Sequence, residues 1–214
     1  YLDVVDGDGG MPLGTQPMVV GLLSGGIDSA VACWVVMKRG CPIMPLYFDN
    51  TPFTDATTTE RALNVAEILF DWAVGFPRKV YVVQHGENLK IMETCSRRFT
   101  CLLCKRMMYR IVERLAETME AESIVTGEAI GEQASQTLTN LRVLSDAVKK
   151  YPIHRPLLGF DKAETETIAR KIGTYEISSR KAKGCTAAPS KPATMAKLEE
   201  VIQAEEKLNI KEMV

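Results

Sequence analysis

The sequence contains no apolar run approaching the roughly 18 residues that a helical bilayer span needs, so no transmembrane helix is expected in its 214 residues. It has little excess charge: 26 Lys and Arg against 27 Asp and Glu leave a net charge of -1. That excludes a grip on nucleic acid spread over the whole surface, and any RNA contact must come from a local patch or from further domains. Histidine is nearly absent. His85 and His154 stand alone, with no partner at metal-ligand spacing, and both read as ordinary polar residues. Neither a G-x-G-x-x-G fingerprint nor a Walker A sequence occurs, so neither dinucleotide nor P-loop chemistry is indicated. No repeat of solenoid period is present. The opening, Tyr1 to Gly10, is acidic and glycine-rich rather than basic and then apolar. It does not resemble a secretory leader, and a cytoplasmic location is the expectation.

What is present is ordinary globular material, 46% hydrophobic and 25% charged, enough for one α/β domain. Residues 1–17 are rich in glycine and proline and read as a linker entering that domain. The domain itself is expected over residues 18–190, with a charged helix from Thr194 to Leu208 in a tail of residues 191–214. Apolar runs at Met18–Leu23, Ile43–Phe48, Val80–Val83 and Ser123–Thr126 read as buried strands. Helices are expected between them, at Asp28–Arg39, Thr57–Trp72 with a threonine cap, Glu87–Arg98, and after Cys101. The last would bury Met108, Ile111, Val112, Leu115 and Met119. A further helix starts at Asp161, with Glu164 three residues on, and closes at Gly173. Strands alternating with helices imply a doubly wound parallel sheet. Its ligand should sit beyond the carboxyl ends of the strands, after Leu23, Phe48 and Thr126.

The turn after the first strand is Ser24-Gly25-Gly26-Ile27-Asp28-Ser29. Two glycines allow close approach of backbone to an anion, and the following helix N-terminus offers free N–H groups. Ser24 and Ser29 add hydroxyls. A bare S-G-G is equally a glycine turn with Asp28 or Ser29 capping a helix. The full S-G-G-x-D-S after an apolar strand resembles the PP-loop of the ATP-pyrophosphatases at every position. The resemblance implies that the loop binds the pyrophosphate of ATP, that attack occurs at the α-phosphorus, and that Asp28 helps hold Mg²⁺ or pyrophosphate.

Further segments resemble the tRNA 4-thiouridine synthetases, the ThiI-type tRNA sulfurtransferases. They are Met37–Gly40, Lys105–Arg110, Thr126–Ala129, Ser135–Leu141 and Arg155–Lys162, with Ser135–Leu141 the most specific to that branch. The resemblance implies adenylation of a tRNA uridine at its C4 oxygen, at position eight, then attack by sulfur at C4 with loss of AMP. It assigns ATP contacts to Leu22, Leu23, Tyr47, Phe48, Lys105, Gly127 and Gln136, and a catalytic role to Lys162. It also implies N-terminal RNA-binding domains, including a THUMP domain, ahead of residue 1, and dimerisation. A role in thiamine biosynthesis, known for some relatives, is not legible in these residues. The plain alternatives are solvated lysines at 105 and 162 and core packing at Tyr47 and Phe48.

Six cysteines without a leader read as catalytic or metal-binding rather than as a disulfide frame. Cys101 and Cys104 form a C-x-x-C at a helix start, a position expected to lower thiol pKa. Cys185 lies in a loop-like stretch with Lys181 and Lys183. No C-terminal rhodanese domain is expected after Leu208, and the chain resembles the archaeal-type arrangement of these three cysteines. There the three are implicated in an iron–sulfur cluster, whereas in bacterial members with a rhodanese domain the cysteine matching Cys185 receives a persulfide. A redox or persulfide trio and a zinc site stay open beside that reading. Cys33 and Cys41 read as structural, and Cys95 as a spare thiol. Arg97, Arg98, Lys105, Arg106, Arg110 and Arg114 form a basic stretch that is either an RNA contact or a solvated helix face. Two competing readings remain: another adenylating PP-loop enzyme, such as a different tRNA thiolase or an amidotransferase-type synthetase, and a non-enzymatic iron–sulfur or nucleotide-binding module that passes sulfur or senses ATP.

Overall fold

The computed structural model describes residues 7–214, and the part of the linker expectation that concerns residues 1–6 lies outside them. Five strands form one sheet: β1 (Val19–Leu22), β2 (Ile43–Asp49), β3 (Tyr81–Gln84), β4 (Ser123–Val125) and β5 (Ile153–His154). Their order is β3-β2-β1-β4-β5, and every pair is parallel. The first four match the apolar runs. The two residues of β5 are too few to show a pattern in the sequence. β1 is central, flanked by β2 on one side and β4 on the other, so the strand order reverses beside it. The carboxyl end of such a switch point is where a doubly wound sheet binds its ligand.

Nine helices are present among the described residues: α1 (Ile27–Met37), α2 (Ala56–Asp71), α3 (Gly86–Cys95), α4 (Thr100–Thr118), α5 (Leu138–Ser145), α6 (Lys162–Lys171), α7 (Tyr175–Ser178), α8 (Leu198–Glu205) and α9 (Ile210–Met213). One face of the sheet is covered by α1, α2, α6 and α7 through Val31, Trp34, Leu69, Ala169 and Ile177. The other is covered by α3, α4, α5 and α8 through Met92, Met107, Leu144 and Val201. Among the described residues no helix is long and apolar enough to cross a membrane.

Several local expectations are corrected. Asp55, not a threonine, caps α2: its carboxylate accepts from the Thr57 N–H. α3 stops at Cys95 because Ser96 is extended, and Arg97–Phe99 form a separate tight turn. On α4 the deepest residues are Leu103, Met107 and Val112 with Arg106, while Met108, Leu115 and Met119 are only half-buried. The helix packs against α5 and α8 as well as the sheet, so more than one stripe is covered. The expected capping box of α6 is present, with Asp161 and Glu164 each bonded to the other's backbone. Gly173 closes that helix at a positive φ of 83°.

α5 was not anticipated. Thr137 caps it by accepting from the Asn140 N–H. The Asn140 amide then donates to the carbonyls of Ala134 and Ala193 and accepts from the Ala196 N–H. That splice ties residues 193–196 down in a non-helical, bent stretch, so the tail helix starts at Leu198 rather than Thr194. Residues 11–16 dock on the end of α1: Met11 donates to the Lys38 carbonyl, and Gly14 and Gln16 donate to that of Gly40.

Candidate active site

A cavity of about 410 Å³ opens at the carboxyl ends of β1, β2 and β4, within the range of pockets that bury small ligands. One wall is the Ser24–Ser29 loop. Gly25 takes a positive φ of 76°, and a Cβ there would come within 2.7 Å of the Ala62 backbone nitrogen. Only glycine fits this passage between loop and helix. Ser29 Oγ donates to the Gly26 carbonyl and accepts from the Ser24 N–H and hydroxyl, which fixes the loop's curve. Gly26 stands at the N-cap of α1, and no side chain caps the helix. The bland alternative of Asp28 or Ser29 as a cap is therefore not what the fold builds. Uncapped N–H groups at a helix start suit an anion. Gly127 holds the opposite wall close, since a Cβ on it would lie 2.5 Å from the Ser29 nitrogen.

Leu22, Leu23, Ser24, Gly26, Asp28, Ser29, Tyr47, Phe48, Lys105, Gly127 and Gln136 all line this cavity. Lys162 Nζ reaches the rim from the first turn of α6 and donates to Asp28 Oδ1 at 2.7 Å. The chain thus brings together residues 134 positions apart. Tyr47 and Phe48 are largely buried, and Tyr47 Oη shares a hydrogen bond with Thr59.

Sequence reasoning missed a carboxylate hub behind Lys105. Glu128 accepts from Lys105 Nζ at 3.1 Å, from Tyr109 Oη and Arg155 Nε at 2.7 Å each, and from Thr126 Oγ1. Burial acts to raise the Glu128 carboxyl pKa, but Lys105, Arg155 and Tyr109 outweigh it and hold it below the ordinary value. Burial and the Glu128 charge push the Tyr109 phenol up. A carboxylate directly after the strand end at Gly127 was the available signal. Asn50, Thr54 and Arg61 also line the cavity and were missed, because loop polar residues give no pattern.

The three cysteines gather beside this site. Ionisation of Cys185 would oppose that of Cys101 and Cys104, and ionisation of Cys101 would oppose that of Cys104. The activation expected of Cys101 and Cys104 is corrected: burial raises both thiols above the ordinary value, as it does that of Cys185. Among the described residues, no group of three or more His, Cys, Asp or Glu is arranged to hold a metal ion. The cluster expectation therefore finds proximity but not a preformed ligand set. His85, read as secondary, is fully buried with Nε2 3.5 Å from Cys104 Sγ, and burial lowers its pKa to about 4. Burial pushes Cys33 up to about 12, consistent with a structural role. The basic stretch divides. Arg106 is buried against Glu205 and Asp146, Arg110 pairs with Glu205, and Arg97, Arg98 and Arg114 remain exposed.

Residues 14–210 match the family described as Thiamine biosynthesis protein (ThiI). The chain belongs to the ThiI family. A probable tRNA sulfurtransferase of Methanosarcina mazei is 45% identical over 217 residues, spanning 100% of this chain and 53% of the relative. The probable tRNA sulfurtransferase of Methanothermobacter thermautotrophicus is 43% identical over 218 residues, spanning 100% and 55%. The structure of a 4-thiouridine synthetase in complex with RNA and ATP superposes with a TM-score of 0.90 at 35% identity, covering 96% of this chain and 54% of that one. The chain thus spans about half the length of the curated ThiI-family relatives it matches. NMN synthetase from Francisella tularensis shares the fold, at a TM-score of 0.54 and 16% identity.

Proposed function

We propose that this protein carries out ATP-dependent thiolation of a tRNA uridine, forming 4-thiouridine at position eight. The reading rests above all on the cavity in which the Ser24–Ser29 loop, the Asp28–Lys162 pair and Lys105 converge, with the Cys185 segment docked on its rim. In the first step the uridine C4 oxygen attacks the α-phosphorus of ATP, and the bond to the β-phosphate breaks to release pyrophosphate. The Leu22–Leu23 backbone reads the adenine edge, Phe48 packs near it, and Gln136 completes the nucleotide contacts. Loop N–H groups and Lys162 offset charge on the departing phosphates. Asp28 is the cavity carboxylate that would hold Mg²⁺ against phosphate oxygens, and a phosphate-bridged Mg²⁺ needs only one or two such ligands. The ion supplies charge neutralisation there.

In the second step sulfur displaces AMP from C4. We assign delivery to Cys185: its persulfide sulfur bonds to C4, and a thiol of the Cys101–Cys104 pair then attacks Cys185 Sγ. That releases 4-thiouridine and leaves a disulfide, which a small-thiol reductant reopens. The tRNA, the sulfur donor that loads Cys185, a homodimer and a cytoplasmic setting belong to this proposal.

The test is on protein of the relatives' full length. With ATP, tRNA and a persulfide donor, wild type should release pyrophosphate and form 4-thiouridine. Cys185→Ala should release pyrophosphate without thiolation. Pyrophosphate release that does not depend on tRNA would count against the reading. Iron and acid-labile sulfide, measured anaerobically, settle the sulfur route. If both are present and lost in each of Cys101→Ala, Cys104→Ala and Cys185→Ala, the trio forms a cluster. If wild type holds neither, the persulfide route stands.

A further inference from the structure

The adenylation step leaves the β2–α2 connection without a task, yet it faces the cavity with unpaired polar atoms. Asn50 Oδ1, Thr54 Oγ1 and Arg61 Nε are buried without a hydrogen-bond partner, as is Gln136 Oε1 across the cavity. Buried polar groups are ordinarily paired, so orphans gathered on one cavity mark contacts that a ligand completes. Arg61 is the one cation among the four. Its stretch of α2 flanks the phosphate loop, since a Cβ on Gly25 would lie 3.1 Å from the Arg61 carbonyl carbon. Among the described residues Arg61 forms no ion pair. A guanidinium that lines the cavity beside an anion-binding loop, with its Nε–H unpaired, calls for a phosphate oxygen.

The same side chain faces the other way as well. Arg61 Nη1 donates to the Arg180 carbonyl at 2.9 Å. Arg180 begins the segment that carries Cys185, and that segment is held at two further points, on the β2–α2 connection and on the first turn of α2. The Thr186 N–H donates to the Phe53 carbonyl at 2.9 Å, and Thr58 Oγ1 donates to the Lys183 carbonyl at 3.5 Å. One guanidinium therefore joins the phosphate end of the cavity to the backbone that positions the sulfur-bearing cysteine.

We propose that Arg61 is a phosphate-binding and positioning residue. Its guanidinium donates to a β- or γ-phosphate oxygen of ATP while Nη1 holds Arg180, so that phosphate occupancy fixes the Cys185 segment. Departure of pyrophosphate removes that anchor and loosens the segment at the stage when the Cys185 sulfur must reach C4. This rests on the ATP-pyrophosphatase reading above.

The experiment measures binding of ATP, inorganic pyrophosphate and adenosine by calorimetry. In parallel, mass spectrometry follows alkylation of Cys185 by iodoacetamide, for wild type, Arg61→Gln and Arg61→Lys. In wild type, ATP and pyrophosphate each slow alkylation of Cys185 and adenosine does not. Arg61→Gln binds ATP about tenfold more weakly, the worth of one charge-assisted hydrogen bond, and loses the protection even at saturating ATP. Arg61→Lys keeps the charge without the fork, so it regains part of the affinity but not the protection, and it keeps the test open should the glutamine variant fold poorly. The proposal is overturned if Arg61→Gln at saturating ATP protects Cys185 as fully as wild type, or if adenosine protects as well as pyrophosphate. If wild type binds neither ATP nor pyrophosphate, the nucleotide reading itself falls, a result distinct from intact binding with unchanged protection.

Discussion

Asp28 and Lys162 sit 2.7 Å apart at the mouth of the cavity, each side chain partly open to solvent at 27% and 43%. An exposed pair of this kind contributes little to stability, so its placement is better explained by chemistry than by folding. Between them they offer the phosphates one site for a cation and one cation. Asp28→Asn and Lys162→Ala should each lower tRNA-dependent pyrophosphate release by roughly 10²–10³-fold, as the loss of one preorganised charge at a reacting centre does. Thermal unfolding of the nucleotide-free protein should change little. Because the two act as a unit, the double variant should be no worse than the weaker single. Full additivity in steady-state kinetics would show that they work separately.

Gly127 shows how elements, rather than side chains, shape the pocket. Its α-carbon lies so close to the start of α1 that a methyl group would meet the backbone of Asp28 and Ser29 at 2.5–2.7 Å. Gly127→Ala must push β4 and α1 apart. A cost of about 1–3 kcal/mol is expected from such overpacking, with a higher KM for ATP because the loop shifts. Denaturant unfolding and pyrophosphate-release kinetics check both, and an unchanged KM would mean that the loop absorbs the methyl group. This level of organisation was the most legible in the sequence. The four longer strands, the α6 capping box and the phosphate loop each carry a local signal in composition or spacing. β5 carries none, being two residues long, and α5 carries only its Thr137 cap and otherwise depends on Asn140 meeting a tail more than fifty residues away. The Glu128 hub and the His85–Cys104 contact were hidden for the same reason, since a lone residue reveals its partner only once the chain is folded. Burial of the three thiols likewise depends on tertiary packing, and it reversed the expectation drawn from the start of α4.

Across the whole molecule, Glu205 fastens the end of the chain to its middle. It is buried, and it accepts from Arg106 and Arg110 through both carboxylate oxygens. Burial alone would raise its pKa, but the two arginines hold it below the ordinary 4.5. A carboxyl depressed on folding contributes stability that is full above the unfolded value and is lost as pH falls through the folded one. Glu205→Gln should cost about 1–3 kcal/mol near neutral pH, because it leaves the buried Arg106 with Asp146 as its remaining charged partner. It should also flatten the decline in stability below about pH 4.5. Denaturant titrations at several pH values read both effects, and an unaltered acid decline would place its origin elsewhere.

The position of β1 has a consequence for how the protein comes into being. Val19 is paired with Ile43 on one side and with Ser123 on the other. No hairpin is available to start the sheet, because every strand pair is parallel, and such long-range pairings form slowly. As the chain leaves the ribosome, the Ser24–Ser29 loop emerges before Gly127, its opposite wall, and before Lys162. The loop by itself is therefore unable to clasp ATP, and the nucleotide would favour only a domain in which Gly127 and Lys162 have joined it.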